Sequence, residues 1–271
     1  MKKIVLFLLL ISLGGSLNAA LVAHYEFEDT TDDSTGNGHH LNTYDGGAKA
    51  YSATAIRGAK SYDFDASDNY LKVENSFTNS DNGTISFWIK TPNNNDTSFF
   101  SMSDGENIEI LSDTDSLTAF YDNGLFGDQK DEKDNPGIYN NNWYMITITF
   151  NNNTNSEKMY IDGIIVALDT DGTNQFGLGK DLFVGGSNGG GGGGFMGGIF
   201  GGGTDTQYTG LMDDLRIYDH ELTAGDVWNL FSPPVAPVVT PPVVVSVPIS
   251  PKAYLFLALA LLFIGIKQTK T

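Results

Sequence analysis

The chain has 271 residues, 40% hydrophobic and 12% aromatic, with 33 acidic against 15 basic residues and no cysteine. It is long enough to bury a substantial core without disulfides. A formal net charge of −18 argues against nucleic acid and anionic membrane surfaces as direct partners, and fits either attraction of divalent cations or solubility in a salty medium.

Residues 1–20 open with Lys2 and Lys3, run apolar from Ile4 to Leu13 and end in small residues at Ala19 and Ala20. That is the layout of a secretory signal peptide, so the mature chain is expected to begin at Leu21, outside the cytoplasm. All 33 acidic residues but only 10 of the 15 basic ones fall between Leu21 and Ser232, the stretch expected to fold.

LVAHYEF, residues 21–27, reads as a first strand with Val22, Tyr25 and Phe27 as its apolar content. A loop dense in Asp, Ser, Gly and Asn follows, centred on Asp33-Ser34-Thr35-Gly36-Asn37-Gly38. Tyr62 to Asp65, Asp68 to Val73, Thr84 to Lys90 and Trp143 to Phe150 follow in turn. Trp88 and Trp143 are expected in the core. Met159 to Ile161 runs into Asp162-Gly163, a turn-forming pair that signals a hairpin.

The glycine-rich run 185–203 lacks Gly-Lys-Ser/Thr and a following helix, so it is not a phosphate loop. It reads as a surface excursion whose Phe195, Met196, Ile199 and Phe200 either tuck back or form a sticky tip.

From Tyr208 to Phe231 the chain closes. Leu211, Asp213, Leu215 and Ile217 alternate with Met212, Asp214, Arg216 and Tyr218, as in a half-buried strand. Asp213 then stands in the core-facing row, where a carboxylate must be paired, hydrogen-bonded or bound to a cation. Thr223 and Asp226 read as a capping box for a short helix with Val227, Leu230 and Phe231 on its apolar side.

Residues 233–251 are a Pro/Val-rich, uncharged tract expected to be an extended spacer. Residues 252–271 hold an apolar run from Tyr254 to Ile266 followed by Lys267 and Lys270. The run is shorter than the ~20 residues that span a bilayer, and its basic flank fits a cytoplasmic terminus.

These motifs, in this order, resemble LamG-like jelly-roll domains of the concanavalin A-like lectin and glucanase fold. The matching elements are the Asp33 to Gly38 loop, Tyr62 to Asp65 with Asp68 to Val73 as paired strands around an Asp-Asn-Tyr turn, the strands Thr84 to Lys90 and Trp143 to Phe150, the Tyr160 to Gly163 hairpin and the closing Gly210 to Tyr218 strand. The resemblance covers Leu21 to Phe231. It implies an all-β fold, a two-sheet antiparallel jelly-roll sandwich with a short C-terminal helix, here followed by a separate hydrophobic tail helix. The C-terminal segment resembles the PEP-CTERM class of bacterial sorting signals, which implies an exosortase-type partner. Val247-Pro248-Ile249-Ser250-Pro251 departs from that signal's motif, and a plain membrane anchor is the alternative.

If the first and last strands are neighbours, the loop bearing Asp33 and Asn37 approaches Asp213. Calcium takes six to eight oxygens, which such a loop can supply. The resemblance points to Asp33, Asn37, Asp213 and Asp214 as ligands of a structural Ca2+. The alternative is that Asp33 and Asn37 make Asx-turns while Asp213 accepts backbone N–H bonds.

No enzymatic activity is expected. Glu106-Asn107-Ile108-Glu109 comes nearest to a glucanase carboxylate pair and lacks its spacing. His39 and His40 are adjacent, a poor zinc geometry, and His24 and His220 show no triad spacing. The expected function is an exported, lectin-like module that binds carbohydrate at the cell surface or in extracellular matrix, with Tyr121, Phe126 and Tyr139 as loop aromatics able to stack on sugars. A structural or adhesive surface protein with protein partners is the alternative, followed by a glycoside hydrolase.

Overall fold

Period-two alternation of apolar and polar residues dominates the folded part of the sequence, and it emerges as strands throughout. The computed structural model describes residues 20–44, 48–65, 70–92, 97–103, 108–113, 116–121, 129–134, 136–169, 178–186 and 206–232. The signal-peptide, spacer and tail segments, and nearly all of the glycine-rich run, lie outside these residues. Among the described residues no helix is long and apolar enough to cross a membrane.

In chain order the first strands are β1 (Leu21–Tyr25), β2 (Asn42–Thr43), β3 (Tyr51–Ser52), β4 (Ser61–Asp65), β5 (Leu71–Val73), β6 (Asn82–Lys90), β7 (Thr97–Ser103) and β8 (Ile108–Asp113). They are followed by β9 (Ser116–Tyr121), β10 (Gln129–Asp134), β11 (Trp143–Asn151), β12 (Ser156–Ile161), β13 (Ile164–Asp169), β14 (Asp181–Val184), β15 (Thr206–Gln207) and β16 (Thr209–Tyr218). A single short helix, α1 (Ala224–Phe231), ends the domain.

One sheet has the order β13-β12-β11-β6-β16-β4-β3, with β1 also on β16; the other runs β10-β9-β8-β7-β14-β5-β2, with β15 on β7. All pairings are antiparallel except the two-residue match of β15 to β7. The expected sandwich is therefore present, and the first strand does lie beside the last. Tyr62 to Asp65 and Leu71 to Val73 do not pair as a hairpin, however. β4 belongs to one sheet and β5 to the other.

The inward rows of both sheets fill the space between them with aromatic and branched side chains, among them Tyr25, Phe64, Phe87, Phe99, Phe150 and Ile217. A second, smaller cluster lies on the outer face of the first sheet. There Trp88, Met145, Tyr160 and Tyr218 are roofed by Leu222 and Val227, with Trp143, Leu230 and Phe231 packed alongside. Both Trp88 and Trp143 thus serve packing, as expected. The Asp162-Gly163 turn has φ of 53° and 77°, the double left-handed turn that suits a two-residue hairpin. Its place beneath α1 leaves no room for a side chain, since a Cβ at Gly163 would come within 2.9 Å of the Trp228 ring.

The helix is set by the capping box read from the sequence. Asp226 N donates to Thr223 Oγ1 at 3.2 Å while Thr223 N donates to Asp226 Oδ2 at 3.1 Å. Replacing Thr223 by Ala should cost about 1 kcal/mol and lower the melting temperature by about 2–4 °C for a domain of this size. Thermal unfolding followed by circular dichroism checks this, and an unchanged midpoint would show that packing alone holds the helix.

Candidate functional site

β16 pairs with β4 through residues 209–212 and with β1 through residues 215–218, both on the same edge. At the change of partner the strand bulges. Asp213 faces Trp88 and Arg216 faces Ser86 on β6, so three residues advance on β16 for two on its neighbour, and Asp214 takes a φ of 52°. An extra residue inverts the alternation beyond it. Met212, Leu215 and Ile217 consequently share the inter-sheet core. Asp213 does not stand in the core-facing row, as the unbroken alternation implied; it lies on the outer side, opposite Trp88.

Asp213 is nonetheless 0% exposed. Its Oδ2 accepts the backbone N–H groups of Ile56 and Arg57, each at 2.9 Å. Its Oδ1 is buried and meets no hydrogen-bond partner. Burial pushes the Asp213 carboxyl up to about 6, against the backbone N–H groups of Arg57, Ile56 and Asp214, which pull it down.

The loop after β1 folds back on that strand. Asp33 Oδ1 accepts Thr35 N at 3.0 Å, Thr35 Oγ1 at 2.7 Å and His24 N at 3.1 Å, and its Oδ2 accepts His39 N at 3.3 Å. Burial opposes the Asp33 charge, yet the bonds from Thr35, His24 and His39 outweigh it and hold the carboxyl below the usual range. Asn37 donates through Nδ2 to Val22 O at 2.8 Å.

His24 joins this loop to β16. Its Nε2 lies 2.7 Å from Asp214 Oδ1 and its Nδ1 3.1 Å from Ser34 Oγ. Asp214 Oδ1 also takes Arg216 Nε and Nη2, both at 2.9 Å, and Arg57 Nε lies 3.8 Å from its Oδ2. Arg57 reaches further, donating from Nη2 to Leu230 O at 2.7 Å and Phe231 O at 3.0 Å, with its guanidinium 5.4 Å from the Trp88 ring centre. The Ser34–His24–Asp214 succession has the outline of a nucleophile relay. Two arginines compensate the Asp214 charge, however, and Ser34 Oγ also donates to His24 O at 3.2 Å, so the arrangement fastens the loop to the sheet.

The four expected calcium ligands thus fall into two adjoining networks. Asp33 and Asn37 reach β16 through His24 and Asp214, while Asp213 serves the 56–57 loop. Asp33 accepts four donors, three of them on Oδ1, and Asp214 faces His24, Arg216 and Arg57. Asp213 Oδ1 is the unmet oxygen. Among the described residues no three His, Asp or Glu side chains converge as metal ligands. The adjacent histidines diverge, His39 stacking on Phe77 at 4.2 Å and His40 facing Asp32 at 3.3 Å.

Of the expected sugar-stacking aromatics, Tyr139 is a packing residue. It lies against the core and donates its hydroxyl to Ser116 O at 2.8 Å. The Tyr121 side chain and Phe126 lie outside the described residues. The sequence reading passed over Tyr44, which is 43% exposed and stacks on Tyr70 at 4.3 Å. An aromatic at the end of a polar loop was the available signal, but its stacking partner is assigned by strand pairing.

The raised Asp213 carboxyl has a pH consequence. A group whose folded value of about 6 exceeds its ordinary 3.8 stabilises the fold fully below the lower value and loses that contribution as pH rises through the upper one. In chelator, the protein should therefore gain stability as pH falls from 7.5 to 5, by up to about 1.4 kcal/mol from this group. Asp213→Asn, which keeps an acceptor for both amides, should flatten that part of the curve. An unchanged slope in the variant would assign the pH dependence to other groups.

Residues 65–228 match the Laminin_G_3 family, described as the Concanavalin A-like lectin/glucanases superfamily. Among curated proteins no sequence matches. Domain 4 of AbnA, a GH43 extracellular arabinanase from Geobacillus stearothermophilus solved with arabinotriose, is similar at 21% identity and a TM-score of 0.57, over 78% of this chain and 98% of that one. The ligand-binding domain of botulinum neurotoxin serotype D, solved with N-acetylneuraminic acid, is similar at 16% identity and a TM-score of 0.58, over 78% of this chain and 50% of that one. The binding domain of serotype G gives 18% identity and a TM-score of 0.57 over the same shares, so this chain spans about half the length of the toxin domains it matches. Two antiparallel sheets closed by β1 on β16, together with the matched residues 65–228, make this chain a member of the Laminin_G_3 family of the concanavalin A-like lectin/glucanase superfamily.

Proposed function

We propose that the domain is an exported, non-catalytic carbohydrate-binding module. The observation that carries this reading is the membership of residues 65–228 in a lectin and glucanase superfamily. Solved neighbours of the same fold, one holding arabinotriose and another N-acetylneuraminic acid, support it. A retaining hydrolase needs two carboxyls about 5 Å apart beside the scissile bond. In the stretch nearest to such a pair, Glu106 lies outside the described residues, while Glu109 is buried on β8. The glycan is expected outside the cell, because residues 1–20 have the pattern of a signal peptide and residues 252–271 that of an anchor or sorting segment.

A structural calcium enters this reading through Asp213, whose buried Oδ1 is the oxygen a cation would satisfy. Asp33, Asn37 and Asp214 would have to release present partners to join it. A second reading, adhesion to a protein, is favoured by one specific surface. Ile165, Leu168 and Trp228 are 46%, 56% and 48% exposed. Ile165 and Leu168 face Tyr160 and Lys158 across the β12–β13 ladder, with a bulge between them that puts both on the outer side. Apolar surface of this kind marks contacts with other macromolecules.

Two measurements test the proposal. The full chain should retain oligosaccharides on a glycan array and release no reducing sugar from those it retains. Retention of none, with or without calcium, favours the protein-adhesion reading, and release of sugar makes the domain a hydrolase. Calcium titration with thermal melting should raise the midpoint in step with occupancy; a midpoint indifferent to both calcium and chelator removes the ion from the reading.

A further inference from the structure

At the edge of the second sheet, β2 and β5 put a short row of side chains on one outward face. Residues two apart on a strand share a face, so Tyr70, Lys72 and Glu74 line up, and Asn42 stands directly opposite Lys72 across the ladder. Tyr44 N donates to Tyr70 O at 3.0 Å, which brings the two rings together at 4.3 Å and an interplanar angle of 27°.

Tyr70 is wedged from behind. The Phe183 ring lies 6.1 Å from it, and a Cβ at Gly186 would come within 2.8 Å of the Tyr70 Cβ. The chain can run past Tyr70 there only as glycine, which gives the start of the glycine-rich run a structural purpose. Tyr44 is therefore seated on a fixed ring, yet keeps 43% of its surface open. Lys72 Nζ lies over the Tyr44 ring, 5.0 Å from its centre, and 2.9 Å from Glu74 Oε1, so a sugar laid on that ring shares it with, or displaces, the flexible lysine side chain.

An apolar ring held in place beside an amide, an ammonium and a carboxylate is the chemistry that recognises a sugar. The C–H face of a sugar ring lies on the aromatic, and its hydroxyls find both donors and acceptors at the rim. Because the platform is already ordered, binding costs little side-chain entropy. Glu74 answers the charge of Lys72, and the chain carries a net charge of −18. A sugar carboxylate or sulfate would find no uncompensated cation on this shelf and would meet a repulsive field.

We propose that Tyr44, seated on Tyr70 and flanked by Asn42, Lys72 and Glu74, is the stacking platform for an uncharged sugar residue. This rests on the carbohydrate-binding reading above. The purified full chain, titrated calorimetrically with arabinotriose, cellotriose and lactose and with 3′-sialyllactose as the anionic probe, tests it. The wild type should bind at least one neutral probe and show weaker or no binding to sialyllactose. Tyr44→Ala should weaken the neutral interaction about tenfold or more, Tyr44→Trp should retain it, and Asn42→Ala, at an exposed edge position, serves as a second loss variant. Melting temperatures of the variants should match the wild type. Wild-type protein that binds no probe would sink the carbohydrate reading and this site together. Undiminished binding in both Tyr44→Ala and Asn42→Ala would leave that reading standing and overturn the placement, and a preference for sialyllactose would overturn the choice of an uncharged ligand.

Discussion

β16 changes partners along one edge at Asp213 and Asp214, where a bulge interrupts its backbone. The Asp213 carboxylate makes the change possible. It supplies an acceptor for two loop amides, Ile56 N and Arg57 N, where neither β4 nor β1 continues the ladder. A buried carboxylate with one oxygen unmet is costly, and the raised Asp213 pKa expresses that cost. In return both neighbours pack against a single long strand, and the alternation beyond the bulge carries Leu215 and Ile217 into the core.

The outer face of the first sheet is organised from the same point. Arg57, positioned by its own amide on Asp213, lies over Trp88, approaches Asp214 and donates to the last carbonyls of α1. Those carbonyls have no partner within the helix, and a guanidinium suits the negative end of its dipole. His24 and Arg216 extend the network to the loop that follows β1. The acidic residues expected as calcium ligands are also anions of an internal network that joins loop, sheet and helix.

The proposed sugar shelf lies on a different part of the sandwich. A fold shared by domains solved with arabinotriose and with N-acetylneuraminic acid does not choose a ligand; particular side chains do. The Tyr44 and Tyr70 rings sit at an edge of the second sheet, away from the first-sheet network that fastens β1, β16 and α1. Stability and recognition can then vary independently, since substitutions at the shelf leave the Asp213 junction untouched.

The sequence by itself determined the fold class, the long strands 84–90 and 143–150, the Asp-Gly hairpin and the capping box. Each of these follows from local chemistry: alternation, turn dihedrals and short-range hydrogen bonding act over a few residues. Tertiary structure decided what depends on distant neighbours. The bulge at Asp213 and Asp214 is invisible in an alternation that reads unbroken, because the interruption is imposed by two strands competing for one edge. It moved Asp213 out of the core-facing row and gave Asp214 to His24, 190 residues away in sequence. The separation of β4 from β5, the arginines that neutralise Asp214 and the stacking of Tyr44 on Tyr70 likewise arise from strand pairing, which no local pattern encodes, because a cross-strand neighbour is chosen by the packing of the whole sandwich.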